Sequence, residues 1–397
     1  MRCKERHVYL DFGVYKTAII GHYYRKNRFR VPDMKQIIHK ILLCTVLLLF
    51  AFAMVSVILH DTSKQVPAEP PAPLEESVIP TVPVSQVIID DSEDPSEPEI
   101  LEDPLNTKPQ YVFPEDFATT LIPVEWFADC PEPGSVYSVF YNATDYSTGM
   151  PITKKMDVYL PYGYSNLYQY DVLILTHGAG CDENYWFSQE QTYNGVPVSA
   201  KNLIDNMIYT KSCRQLIVVS CSCRNDISCC GSFYDANQLY LEGHQMSEEL
   251  KKDILPFLAE SFSTYAESST PESLIAAREH FAFFGFSWSA MFGYTHILPE
   301  DLEYISWYGL IAPSIMSLKN VLPVVAEKNK EYPISYLYTS VGSTDAVRKQ
   351  SESMYKSFCN NPLLSTSAPS SQVIIERAYH SFDAWGTGLF NCLKLFF

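Results

Sequence analysis

The pentapeptide Gly285-Phe286-Ser287-Trp288-Ser289 constrains the fold of this 397-residue chain more than any other segment. It follows the apolar aromatic run 281–284 and precedes the segment 290–298, which can form a helix. A strand, a tight turn and a helix in this order lift a serine hydroxyl above a sheet edge. We therefore interpret Ser287 as a nucleophile. The alternative is a serine in an ordinary strand-to-helix turn, since Ser289 stands where the full motif has glycine.

Two further residues follow Ser287 in the chain order nucleophile, acid, base, namely Asp345 and His380. Asp345 comes directly after a predicted strand, at the kind of sheet edge where ligands bind. We expect His380 to act as the general base and Asp345 to hold its tautomer. Asp383 is the rival acid, and a histidine buried in the core is the alternative for His380.

An oxyanion hole is expected from two backbone N–H groups, those of Trp288 and Ala179. Ala179 belongs to the segment Thr176-His177-Gly178-Ala179-Gly180, whose small residues allow the backbone to approach a substrate oxygen. We expect His177 to orient this loop and to lie near the substrate. A plain turn that ends a strand is the alternative for the whole segment.

Buried and exposed strands alternate with helical patterns from about residue 111 onward. One helix is predicted over 247–258, with acidic residues in its first turn. This alternation predicts an α/β fold, with a mostly parallel central sheet and helices on both faces. The predicted strands are Ser135–Tyr141, Lys155–Leu160, Val172–Thr176, Leu216–Ser220, Phe281–Phe284, Ser306–Ala312, Ile334–Ser340 and Val373–Glu376.

Residues 41–59 form an uncharged, mostly apolar run, preceded by basic residues and followed by acidic ones. As a helix this run is long enough to span a bilayer, and the flanking charges place residues 1–40 in the cytoplasm. We therefore expect a cell-membrane protein with an extracellular catalytic domain at 111–397. A signal peptide starting at Met34 and cleaved near Ala53, which would give a secreted protein, is the alternative.

Residues 60–110 are rich in proline and acidic residues, a composition that cannot bury a core. We interpret them as an extended stalk between the membrane and the domain. The net charge of −17 argues against nucleic acid as a partner.

Cysteines are numerous for an exported chain, and disulfides are the expected state outside the cell. The cluster Cys221, Cys223, Cys229 and Cys230 leaves structural zinc as an alternative, although its spacing lacks the usual paired C-x₂-C. We expect no metal site and no cofactor.

The motifs of residues 135–395 resemble those of the feruloyl and acetyl xylan esterases of the esterase D-like group. The similar segments are Lys154–Pro161, His177–Gly180 with Asn184 and Trp186, Glu249–Leu258, Ala277–Ser287, Gly342–Asp345, and His380 with Trp385. The resemblance implies an α/β-hydrolase fold with Ser287, Asp345 and His380 as the catalytic triad. Trp288 and Ser289 depart from the family, which usually has Met-Gly at these positions.

The resemblance implies hydrolysis of feruloyl or acetyl esters on plant cell-wall polysaccharide. Trp186, Trp288 and Trp385 could offer aromatic surface to a phenolic acyl group or a sugar, and the alternative for each is a place in the core. An acyltransferase on the same scaffold and a non-catalytic carbohydrate-binding protein are the competing functions.

Overall fold

The computed structural model describes residues 121–225, 236–315 and 317–397. The predicted cytoplasmic segment 1–40, apolar run 41–59 and stalk 60–110 therefore lie outside the described residues. Within the described ranges, no helix is both long and apolar enough to cross a bilayer.

Eight strands form one sheet in the order β1-β2-β6-β3-β7-β8-β9-β10. The pairs β1–β2 and β2–β6 are antiparallel, and the remaining pairs are parallel. Two short strands, β4 and β5, pair separately. The strands are β1 Ser135–Asp145, β2 Met150–Leu160, β3 Asp171–Thr176, β4 Gln191–Tyr193, β5 Val196–Val198, β6 Leu216–Cys221, β7 Phe281–Phe286, β8 Trp307–Ile311, β9 Tyr336–Gly342 and β10 Ser370–Ile375.

Helices cover both faces of this sheet. The side chains between the sheet and the helices form two buried hydrophobic clusters, one on each face. The helices are α1 Ala200–Tyr209, α2 Ala236–Glu249, α3 Leu255–Ser261, α4 Pro271–Ala276, α5 Trp288–Phe292, α6 Leu298–Glu300, α7 Leu322–Lys328, α8 Arg348–Cys359, α9 Leu364–Ser367 and α10 Phe382–Leu395. The predicted α/β architecture with a mostly parallel sheet is confirmed.

The helix predicted over 247–258 differs in detail from the observed one. Helix α2 already runs from Ala236, so Glu248 and Glu249 lie in its last turn and not in a first turn. A π-helical turn, Leu250–Ile254, links α2 to α3. Pro256 in the first turn of α3 has no N–H to donate to the preceding turn. The π-helical turn lies directly before it, where the regular hydrogen-bond pattern of the helix is interrupted.

The expectation of disulfides is wrong for six of the described cysteines, which are free thiols. They are Cys130, Cys213, Cys221, Cys223, Cys359 and Cys392. Four of them are buried and serve as small apolar core residues. Burial raises the pKa of the Cys221 thiol to about 12, which keeps it protonated. In the described ranges no group of His, Cys, Asp and Glu side chains is arranged to hold a metal ion.

Candidate active site

Ser287 lies at the turn between the end of β7 and the start of α5. Its φ of +53° is in the left-handed region, which a non-glycine residue adopts only when its surroundings enforce it. The Ser287 N–H donates to the Ile311 carbonyl at 2.8 Å, which ties the turn to the end of the neighbouring strand β8. The turn therefore presents the serine side chain at the carboxyl edge of the sheet.

Close packing at this turn explains the residues on either side of the serine. A Cβ added to Gly285 would lie 2.7 Å from the Ser289 hydroxyl, so only glycine fits there. The Ser289 hydroxyl accepts from the Phe286 N–H at 2.9 Å and donates to the Phe286 carbonyl at 3.1 Å. Serine in place of the motif's last glycine is thus accommodated, and it pins the first turn of α5 to the strand.

The structure brings His380 between Ser287 and Asp345. The distance from His380 Nε2 to Ser287 Oγ is 2.8 Å, and that from His380 Nδ1 to Asp345 Oδ2 is 2.7 Å. The Asp345 side chain is fully buried, and its second oxygen accepts from the Val347 N–H at 2.9 Å. The imidazole is 37% exposed, so solvent reaches the base.

Two loops hold this geometry, one after β9 and one after β10. Thr344 donates to the Ala378 carbonyl from both its N–H, at 3.1 Å, and its hydroxyl, at 2.7 Å. A Cβ on Gly342 would lie 2.3 Å from the same carbonyl, so this approach requires glycine. The loop that carries Asp345 is in this way fixed to the loop that carries His380.

Asp383, the rival acid, is engaged elsewhere. Its Oδ1 accepts from the Asn194 N–H at 2.8 Å, and its Oδ2 accepts from the Ser381 hydroxyl at 3.3 Å. Asp345 is the acid that contacts His380.

Ala179 and Trp288 border the same cavity as Ser287 and His380. Trp288 is the first residue of α5, where the amides have no partner within the helix. A Cβ on Gly178 would lie 2.5 Å from the Phe286 ring, so the loop before Ala179 passes close to the end of β7. Both residues of the predicted oxyanion hole therefore border the site, and the role of their N–H groups stays a prediction.

Two of the residues expected near the substrate are buried away from the cavity, which corrects the prediction for both. His177 is 1% exposed, and its ring nitrogens lie 2.8 Å from the Gly178 carbonyl and 3.0 Å from the Ser222 hydroxyl. Burial lowers the pKa of His177, which keeps the ring neutral in these contacts. Trp186 is fully buried, and its indole N–H donates to the Thr176 carbonyl at 3.1 Å.

The cavity beside Ser287, called here the serine pocket, has a volume of about 500 Å³ and a mostly apolar wall. Trp385 belongs to this wall and stacks on Phe286 with 4.5 Å between ring centroids, and its contact with substrate stays a prediction. Its indole N–H donates to the Tyr185 hydroxyl at 2.6 Å. The lining residues are Gly178, Ala179, Cys181, Tyr185, Phe286, Ser287, Trp288, Met291, Ser314, Asp345, Ala346, Val347, His380 and Trp385.

Sequence reasoning did not single out Tyr185 and Met291, which also line the pocket. Met291 lies one helical turn after Ser287, so the spacing within α5 was a usable signal. Tyr185 lies in an irregular loop without periodicity, where nothing in the sequence separates it from its buried neighbour Trp186.

The comparisons with solved structures establish the fold. A mutant of the feruloyl esterase module from Clostridium thermocellum, complexed with sinapinate, matches with a TM-score of 0.58 at 22% identity, over 70% of this chain and 93% of that one. A ferulic acid esterase from the anaerobic fungus Anaeromyces mucronatus matches with a TM-score of 0.53 at 17% identity, over 70% of this chain and 96% of that one. The likeness to feruloyl esterases that the motifs predicted is confirmed at the level of the fold.

A curated relative, endo-1,4-beta-xylanase Y from Acetivibrio thermocellus, is 30% identical over 186 residues. These residues are 47% of this chain and 15% of the relative, so the chain spans only a small part of that protein. No protein-family model matches the chain.

Proposed function

We propose that this protein is a serine carboxylic-ester hydrolase that removes feruloyl or acetyl groups from plant cell-wall polysaccharide. One observation carries the proposal. The Ser287 hydroxyl, at a strained strand-to-helix turn, is hydrogen-bonded through His380 to the buried Asp345, and all three border an apolar cavity.

In this proposal the base and its orienting acid act through the two observed contacts. The His380 Nδ1–H donates to Asp345, which leaves Nε2 to accept the hydroxyl proton of Ser287. Ser287 Oγ then attacks the ester carbonyl, and His380 returns the proton to the leaving alcohol. Water, activated by the same imidazole, releases the acid from the acyl-enzyme in a second cycle.

The negative charge that develops on the carbonyl oxygen needs preorganised donors. The backbone N–H groups of Ala179 and Trp288 are the donors we assign, since both residues border the cavity beside Ser287. The His177 ring hydrogen-bonds to the Gly178 carbonyl, which belongs to the same peptide group as the Ala179 N–H, so this bond helps to orient that N–H.

The serine pocket favours an aromatic acyl group over acetyl. Its volume of about 500 Å³ far exceeds what an acetyl group fills, and its mostly apolar lining includes Phe286 and Trp385. Burial raises the pKa of Tyr185, so this phenol stays neutral in the pocket wall. The two solved esterases and the xylanase relative support feruloyl groups on xylan as the substrate to test first.

We also propose that residues 41–59 anchor the chain in the cell membrane, with the catalytic domain outside. The length of this apolar run and the charges on either side of it support this arrangement. An exposed esterase on a stalk would reach an insoluble polysaccharide that does not enter the cell.

Product analysis tests the proposal. The purified full-length protein is incubated with methyl ferulate and with acetylated xylan, in water alone and with added alcohol acceptors. We expect free ferulic acid as the main product and a higher kcat/KM for the feruloyl ester than for the acetyl ester. New esters as the main product would identify an acyltransferase. Oligosaccharide binding without turnover would identify a binding protein.

A further inference from the structure

A second cleft lies beside the serine pocket, between strand β2 and the loop 180–184. It has a volume of about 200 Å³, and we call it the side cleft. Thr153, Lys154 and Lys155 line it from the strand, and Gly180 to Glu183 line it from the loop. The segment after β6 completes the lining with Ser222, Arg224 and Asn225. Cys181 borders both the side cleft and the serine pocket, so the two cavities are adjacent.

The cations of the side cleft already have acidic partners. Lys155 Nζ lies 3.1 Å from Glu183 Oε1 and 2.6 Å from the Asn184 side-chain oxygen. Lys154 Nζ lies 2.8 Å from Glu249 Oε2. Arg224, the third cation of the lining, lies 3.2 Å from Glu242 Oε1. Because each cation of the described lining is paired and Asp182 adds a further acceptor, the side cleft offers hydrogen-bond donors and acceptors without an unpaired cation. Such a surface suits a neutral ligand with several hydroxyl groups.

An exposed aromatic residue lies opposite Lys155, one of the lining residues, on the neighbouring strand. Phe140 on β1 is 63% exposed, and it is the register partner of Lys155 on β2. Side chains directly opposite on paired strands lie on the same face of the sheet, so the Phe140 ring stands next to the Lys155 stem. A sugar ring has an apolar C–H face and a polar hydroxyl edge, which match an aromatic ring beside paired charges.

We propose that the side cleft binds a neutral sugar residue of the alcohol part of the ester, next to the bond that Ser287 attacks. The inference rests on the proposed function, since it identifies where the polysaccharide lies while the acyl group fills the serine pocket. Lys155 and Glu183 bond to the hydroxyl groups, and Phe140 packs against the ring.

Binding to an unesterified oligosaccharide of arabinose and xylose tests the side cleft without any hydrolysis. Calorimetric titration of the full-length protein is compared with that of Lys155→Met and Phe140→Ala. We expect Lys155→Met to weaken affinity about tenfold, since it removes a charged hydrogen-bond donor, and Phe140→Ala to weaken it several-fold. Phe140 is exposed, so that variant keeps its fold.

The matched control is Lys330→Met, which breaks an exposed ion pair with Glu327 outside the side cleft. It should bind as the wild type does. Absence of binding to the wild type, or equal affinity of all four proteins, would overturn the proposal.

A second measurement separates the side cleft from the proposed function. The kcat/KM for a feruloylated arabinoxylan oligosaccharide is divided by that for methyl ferulate, which lacks a sugar. We expect Lys155→Met to lower this ratio about tenfold, mainly through KM. Turnover of both esters with an unchanged ratio would overturn the subsite and leave the hydrolase proposal standing. Lys155-dependent binding of the oligosaccharide without turnover of either ester would overturn the hydrolase proposal and leave the sugar-binding site standing.

Discussion

The indole N–H of Trp288 donates to the buried carboxylate of Glu242, with 2.6 Å between Nε1 and Oε2. The same carboxylate accepts from Arg224 Nε at 3.2 Å and from the Gln238 amide at 2.6 Å. Trp288 directly follows Ser287, and it is a lining residue of the serine pocket. This bond therefore holds in place both a lining residue of the pocket and the residue whose N–H we assign to the oxyanion hole. It also gives a structural reason for tryptophan at position 288, where the resembling family usually has methionine.

Replacing Trp288 with phenylalanine removes that donor and keeps an aromatic ring. A hydrogen bond to a charged group contributes more than one to a neutral group, so Trp288→Phe should lower the free energy of unfolding by about 2 kcal/mol. The matched control is Trp385→Phe, whose lost partner is the neutral Tyr185 hydroxyl, with an expected loss of about 1 kcal/mol. Urea denaturation measures both, and an equal or smaller loss for Trp288→Phe would contradict the assigned role of Glu242.

The two candidate acids can be separated by a pair of isosteric variants. Asp345→Asn should lower kcat by about 10⁴, because the amide disfavours the tautomer that His380 needs. Asp383→Asn should leave kcat close to that of the wild type, since Asp383 bonds to Asn194 and Ser381. Steady-state kinetics on methyl ferulate measure kcat for both variants. A large loss of kcat in Asp383→Asn together with an active Asp345→Asn would identify Asp383 as the acid that orients His380.

Acid should destabilise the fold through His177. Burial lowers the pKa of His177 in the folded protein from its ordinary value of 6.5. Below pH 6.5 the unfolded chain therefore binds a proton at this histidine more readily than the folded protein does. The free energy of unfolding should therefore fall as the pH drops through 6.5 toward the folded-state pKa. Urea denaturation over this range checks the slope. His177→Gln should show a shallower slope, and an identical slope would refute the contribution of His177.

The predicted topology is tested by brief proteolysis of whole cells. The stalk 60–110 contains nothing that can be buried, so it should be the most sensitive exposed segment. A soluble, active fragment that begins near residues 100–110 is expected. A mature protein that is already soluble and starts near Met54 would establish the cleaved signal peptide. A catalytic domain protected inside intact cells would contradict both forms of the proposal.

Much of the site was predictable because its residues follow strands. Ser287, Asp345 and His380 come after β7, β9 and β10, and the ends of parallel strands meet at one edge of the sheet. The side-chain distances were beyond sequence reasoning, since they depend on contacts such as that between Thr344 and Ala378 in two irregular loops.

The aromatic residues show where sequence reasoning stops. Tyr185 and Trp186 are adjacent, yet one lines the pocket and the other is fully buried. In a helix or strand, periodicity would have separated them, but the loop that carries them has none. The partnership of Glu242 with Trp288 joins residues 46 positions apart, and no local pattern indicates it.

The most direct test of the account is the rate of methyl ferulate hydrolysis by Ser287→Ala, with circular dichroism to establish that the variant is folded. Loss of the nucleophile should lower kcat by about 10⁶, because only the oxyanion donors and substrate binding remain. A folded Ser287→Ala variant that hydrolyses the ester at the wild-type rate would contradict the catalytic triad and, with it, the proposed function.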